Sequence, residues 1–275
     1  MNRGQPTAYA DLNDVLRHLV AAVTEILGED FCGAYLQGSF AVGDADVHSD
    51  VDFLVVTYDE VNATQELELR AMHERFPDRD VDWAKHLEGS YVPDQALRRI
   101  DPARTAWLYV DNGSKVMERS AHDNTAVVRW SMREHGIVLS GPDPRDLIDP
   151  VTAADLRREV LARVDAFMPD LLTWSGGLDN AWTQPYVVGS LCRMLHTLEI
   201  GRVKSKREAL LWAKATLDVE WSDLIQGALD DRPDPWVRVH LPARPGTAVC
   251  TRSFIEYAQA VADHQRAGSK GVLES

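Results

Sequence analysis

The chain has 275 residues, 29 of them Lys or Arg and 43 Asp or Glu, for a formal charge of −14, and 45% of it is hydrophobic. Acid in this excess does not suit a protein that grips nucleic-acid phosphates, because that affinity comes from clustered Lys and Arg releasing counterions; it suits a cationic or neutral small-molecule partner. No apolar run nears the roughly 18 residues of a membrane span, and the first residues lack the apolar core of a signal peptide. The expectation is a cytoplasmic monomer with neither nucleic acid nor membrane as partner. Cys32, Cys192 and Cys250 are odd in number, far apart and without C-x-x-C spacing, and read as reduced packing residues.

In chain order, Leu12, Val15, Leu16, Leu19, Val20, Val23, Ile26 and Leu27 recur at helical spacing before a stop at Gly28. Ala34-Tyr35-Leu36 is strand-like, and 51–58 is dense in β-branched and aromatic residues, the mark of a buried strand. Weaker strand candidates are 80–83, 86–92, 106–110 and 115–118, and 125–134 reads as helix. The Pro-rich stretch 141–150, with Pro142, Pro144 and Pro150, is expected to be neither helix nor central strand and to link two domains. Positions 1–150 hold 27 acidic and 14 basic residues, a charge of −13, against −1 for 151–275, so the excess acid belongs to the first half.

Past the linker the period is helical throughout. Thr152 is a candidate cap, Pro185 a candidate helix opener with Gly201 as the stop, and Ser205 with Glu208 fits a capping box leading a helix through Leu217. Further helices are expected over 222–229 and 249–264, with a frayed tail over 268–275. The organisation expected is an α+β (α/β) domain with a small mixed sheet over 1–150, an all-α bundle over 151–267, and that tail.

The chemistry concentrates in 38–52. Asp50 and Asp52 stand two apart at the start of a strand, so both carboxylates project from one face. Two like charges so placed repel, and a hard divalent cation relieves them; Mg²⁺ typically takes one or two carboxylates plus phosphate oxygens and water. Upstream, Gly38-Ser39 supplies a glycine that lets backbone amides approach a phosphate and a hydroxyl donor beside them. A third carboxylate is needed to take the proton of an attacking hydroxyl, and Asp82 competes for that role.

This combination resembles the nucleotidyltransferase superfamily that includes DNA polymerase β, and within it the streptomycin- and spectinomycin-type aminoglycoside adenylyltransferases. The matching residues are Gly38, Ser39, Asp50 and Asp52, with Gly43 and Ser49 also at family positions. The resemblance implies transfer of AMP from ATP to a hydroxyl of a cationic, aminoglycoside-like acceptor, with Mg²⁺ held by Asp50, Asp52 and Glu88. The Leu87-Glu88 pair matches the pair that supplies the general base. Gly201, Lys206, Trp212 and Ala213 match a helical second domain, where Lys206 and Arg193 would contact the nucleotide along with Gly38, Ser39 and Ser49. Where such enzymes place a tryptophan after the base, this chain has the turn Asn112-Gly113-Ser114. Rival readings keep the chemistry on another metabolite or a protein side chain, or leave a silent nucleotide-binding protein.

A polycationic acceptor calls for acidic and aromatic side chains. Asp179 and Trp182 are the candidates in the second half, and Asp111 and Asp123 in the first.

Overall fold

The computed structural model describes the backbone of residues 5–175, 177–231 and 235–273 and the side chains of 5–167, 177–231 and 237–267. The chain divides into two compact units, Met1–Val151 and Thr152–Ser275.

The first unit is a mixed sheet between two helical layers, consistent with the fold expected from sequence. Its elements are α1 (Ala10–Leu27), β1 (Phe31–Leu36), α2 (Gly38–Ala41), β2 (Val51–Thr57), α3 (Ala63–Arg75), β3 (Leu87–Pro93), α4 (Asp94–Arg98), β4 (Trp107–Val110), β5 (Met117–Ser120), α5 (Ala126–His135), β6 (Ile137–Ser140) and α6 (Pro144–Leu147). The six strands run β5-β4-β3-β2-β1-β6. Only β2 and β3 are parallel, and α3 makes their crossover.

Strand alternation sorts the residues of this sheet onto two faces. Val51, Phe53 and Val55 of β2, Leu87 and Tyr91 of β3, and Leu108 and Val110 of β4 pack with the apolar stripe of α1 and with Leu69 and Met72 of α3. Leu54, Val56, Val92 and Trp107 pack on the other face with Leu97, Met132 and Leu147 from α4, α5 and α6. Asp52, Glu88 and Tyr109 share the period of this second set, so they fall on the face covered by α4 to α6, at the end where β2 and β3 begin.

Three local expectations are overturned. The stretch 80–83 is no strand, since a 3-10 turn occupies Asp82–Lys85, closed by an Asp82–Lys85 ion pair of 2.8 Å; the flanks of β3 are already filled by β2 and β4. The Pro-rich stretch does contain a helix, α6, because Pro144 sits in the first turn where no N–H is needed and the Asp143 carboxylate accepts from Arg145 N at 2.8 Å. Cys250 is exposed, so it is not a packing residue, whereas Cys32 and Cys192 are buried. Helix α3 escapes periodicity because its charges run around the whole helix; its signal is the capping box of Asn62 and Gln65.

The second unit is helical: α7 (Ala153–Ser175), α8 (Thr183–Ile200), α9 (Lys206–Thr216), α10 (Ser222–Asp230), α11 (Pro235–Arg238) and α12 (Thr247–Leu273). Helix α8 is central, with Val187, Val188, Leu191, Cys192 and Leu195 buried against α7, α9, α10 and α12. It begins two residues before Pro185, because the Asn180 side chain accepts from Thr183 N at 2.7 Å and ends the preceding loop there. Gly201 closes it in the left-handed region at φ 73°, and Ser205 Oγ accepts from Glu208 N to start α9. The backbone of α12 continues through Leu273, over most of the stretch expected to fray; 274–275 lie outside the described residues. Among the described residues no helix is long and apolar enough to cross a membrane.

Candidate active site

The sequence places Asp50 and Asp52 together; long-range pairing brings the third acid. In the parallel ladder of β2 and β3, Asp52 stands directly opposite Glu88, so the two carboxylates are cross-strand neighbours on one face. The Gly38 turn closes on the same point. Its φ is +57°, and a Cβ added there would lie 1.7 Å from Asp52 Oδ2, so only glycine fits. The turn is held from both sides: Gln37 N donates to the Asp52 carbonyl at 2.9 Å, and Phe40 packs among Trp83 and Tyr9.

Glu88 is the electrostatic centre. Its side chain is only 14% exposed, and burial first, then the charge of Asp52, push its carboxyl up to about 9, with Asp50 and Asp123 adding to the rise. The Tyr109 hydroxyl opposes them, lying 2.7 Å from Glu88 Oε1 and 3.1 Å from Asp111 Oδ1. Tyr109 is itself raised by burial and by the Glu88 charge, so it stays a donor at neutral pH. His122 stacks on the Tyr109 ring at 5.4 Å and brings Nε2 within 3.4 Å of Glu88 Oε1. Asn112, in the turn 112–114, donates from Nδ2 to Asp50 Oδ1, and His86 Nδ1 lies 3.3 Å from its Oδ1.

Three carboxylates gathered around one strand end, one of them shifted strongly toward its neutral form, are the donor set that a hard divalent cation relieves. Among the described residues no three or more His, Cys, Asp or Glu side chains are arranged as a ready metal cage. A cation at Asp50 and Asp52 would therefore take further oxygens from phosphate and water, which suits Mg²⁺.

Two sequence candidates lie away from the expected place. The Asp82 side chain is 92% exposed and tied to Lys85, whereas the acids facing Glu88 are Asp52, Asp50 and Asp123. Asp123 is only 5% exposed, which removes it from any surface that an acceptor could reach. Ser49 lies near the site but its hydroxyl closes the preceding turn, accepting from Asp46 N at 2.9 Å. Tyr109, His122 and Gln37 escape sequence reasoning, and Asn112 is marked there only as part of a turn: each is a common residue type, and the sheet with the loops at its strand ends brings them together.

In the second unit, Lys206 Nζ lies 4.5 Å above the Tyr186 ring, and Trp182 stacks on the same ring at 4.9 Å. Arg193 follows Tyr186 by seven residues, on the same face of α8. Asp179 is exposed in the loop before α8, where its carbonyl accepts from Ala243 N at 2.7 Å.

Residues 23–98 match the nucleotidyltransferase domain family, and residues 146–235 match the C-terminal domain of aminoglycoside adenylyltransferases. A spectinomycin 9-adenylyltransferase of Staphylococcus aureus is 27% identical over 230 residues, covering 76% of this chain and 84% of that protein. An aminoglycoside (3'') (9) adenylyltransferase of Shigella flexneri is 24% identical over 78% of this chain and 83% of its own length. In fold, the chain is similar to the crystal structure of the spectinomycin adenyltransferase AAD(9) from Enterococcus faecialis with ATP and spectinomycin. The TM-score is 0.69 at 13% identity, covering 91% of this chain and 98% of that one.

Proposed function

Because this chain belongs to the nucleotidyltransferase superfamily and resembles the aminoglycoside adenylyltransferases in both halves, we propose that it transfers AMP from ATP to a hydroxyl of an aminoglycoside-like acceptor. The observation that carries this reading is the register pairing of Asp52 with Glu88, with Asp50 on the same face and Gly38 packed against Asp52.

Asp50 and Asp52 hold Mg²⁺, which when bound offsets the negative charge of the triphosphate and of the leaving group. The Gly38-Ser39 turn offers backbone amides and a hydroxyl to the phosphates. Glu88 takes the proton of the acceptor hydroxyl as its oxygen attacks the α-phosphorus; the bond to the β-phosphate bridging oxygen breaks and pyrophosphate leaves. Tyr109 holds Glu88 Oε1 and so leaves Oε2 for that proton. A cation on Asp50 and Asp52 would offset the part of the rise that their charges cause and so let Glu88 ionise, while burial, the larger cause, would keep it a better proton acceptor than a solvated carboxylate.

Lys206 is proposed as a nucleotide contact on the family pattern, Arg193 as its companion on α8, and Asp179 and Trp182 as acceptor contacts because acidic and aromatic side chains suit a cation, with Trp182 stacked on the ring under Lys206. A cytoplasmic, monomeric enzyme is the accompanying proposal. The test is to incubate the protein with Mg-ATP and spectinomycin or streptomycin and seek, by mass spectrometry, the acceptor plus one AMP. Asp50→Ala and Glu88→Ala are expected to abolish the product while leaving the far-ultraviolet circular dichroism unchanged. Undiminished turnover in either variant sinks the reading.

A further inference from the structure

On the acidic face of the sheet, one buried carboxylate has no part in the mechanism above. Asp123 follows β5 and reaches back over β2, the strand that carries Asp52. Its Oδ1 accepts from Gln37 Nε2 at 3.1 Å and its Oδ2 from Ser90 Oγ at 2.7 Å. Those two partners are informative. Gln37 extends β1 by one residue, immediately before Gly38 and Ser39, and its backbone N is bonded to Asp52. Ser90 is on β3, two residues beyond Glu88 and on the same face. One carboxylate therefore ties the turn that faces the phosphates to the strand that carries the base.

The tie is anchored at its own end. Asn124 Nδ2 donates to the Thr105 carbonyl at 2.9 Å and to Asp101 Oδ2 at 3.1 Å, and Thr125 caps α5 by accepting from Val128 N at 2.9 Å. The neighbours on either side of Asp123 are thus engaged elsewhere, while His122 stacks on Tyr109. A buried carboxylate costs stability unless it is well bonded, and an apolar side chain would fill this space without that cost. Its placement serves the geometry of the turn and the strand that it joins.

We infer that Asp123 is a positioning residue that fixes the separation between the Gly38-Ser39 turn and Glu88, acting through Gln37 on nucleotide binding and through Ser90 on the base. The inference rests on the proposed nucleotidyl transfer. It requires hydrogen bonds rather than charge: an asparagine can keep Oδ1 as acceptor for Gln37 and donate from Nδ2 to Ser90 Oγ, which accepts as readily as it donates.

The test is steady-state transfer by the full chain, with Mg-ATP affinity measured separately by calorimetry. Asp123→Ala is expected to raise KM for Mg-ATP and lower kcat, each by about tenfold, and Asp123→Asn to recover both to within about threefold. The two halves of the tie should separate: Gln37→Leu raises KM and weakens Mg-ATP binding about tenfold with kcat nearly kept, and Ser90→Ala lowers kcat with KM nearly kept. A merely structural residue gives no such split. If Asp123→Ala does not fold, the Gln37 and Ser90 variants decide. Equal losses in both constants for both of those variants, wild-type constants in them, or Asp123→Asn as impaired as Asp123→Ala, overturn the inference. Should the wild-type chain transfer AMP to no acceptor, the functional reading fails by itself, and the calorimetric loss expected in Gln37→Leu still tests the nucleotide half of the tie.

Discussion

The Asp52 carboxylate occupies the space that a side chain at residue 38 would need: a Cβ on Gly38 would lie 1.7 Å from Oδ2 and 2.4 Å from Cγ of Asp52. Gly38 also holds a φ of +57°, which an L side chain adopts only with strain. Gly38→Ala must therefore displace either the turn or Asp52. The expected result is loss of transfer by at least about a hundredfold at a cost in stability of on the order of 1–3 kcal/mol. Steady-state rates and chemical denaturation of the variant measure both, and a fully active variant refutes the close approach.

Glu88→Gln should separate stability from activity. The folded-state carboxyl is raised to about 9 from 4.5, so the folded protein binds the proton more tightly than the unfolded chain. That contribution is fully present below about pH 4.5 and is lost as pH rises toward 9. At pH 8 without metal the wild type bears the penalty of an ionised Glu88 or of keeping it protonated, and the neutral amide does not. Glu88→Gln should then unfold at a higher temperature, by on the order of 2 kcal/mol, while transfer falls by roughly a hundredfold to ten-thousandfold. A variant less stable than wild type at pH 8 contradicts this.

His73 should make the first unit acid-labile. It is buried on the sheet-facing side of α3 with Nε2 2.7 Å from the Tyr91 hydroxyl and its ring stacked on Phe53, and burial lowers its pKa from 6.5 to about 3. The unfolded chain takes up the proton first, so the stability is present above about pH 6.5 and is lost as pH falls toward 3. Between pH 7.5 and pH 5 this costs about 2 kcal/mol. Comparing wild type with His73→Gln by denaturation at both pH values isolates the effect: the wild type should lose more stability than the variant by about that amount.

Lys206→Met keeps the stem over Tyr186 and removes the charge. If Lys206 contacts the nucleotide, KM for Mg-ATP rises about tenfold or more, and the helical unit loses the cation–aromatic contact with Tyr186, worth about 0.5–1 kcal/mol. An unchanged KM assigns Lys206 to structure alone.

Several of these features are legible in the amino-acid sequence alone. The stripe of α1, the apolar run of β2 and the Ser205 cap are short-range patterns, and each forms where its pattern lies. Where sequence and fold diverge, the causes are local. Pro144 is a helix breaker by residue type yet serves as a first-turn residue, and α3 hides behind a ring of charges with only Asn62 and Gln65 to mark it.

What the amino-acid sequence determined by itself is the pair Asp50 and Asp52 and the glycine turn before them, because their geometry follows from one strand's alternation and one residue's freedom at φ. Only the tertiary structure decided which acid completes the set. Parallel pairing of β2 with β3, across the whole of α3, set Glu88 rather than Asp82 beside Asp52. The pairing of β4 with β3 brought Tyr109 to that strand end, and the loops after β4 and β5 brought Asn112 and Asp123 there. Burial, the first cause of the raised Glu88 carboxyl, is a property of the packed sheet and not of any local segment.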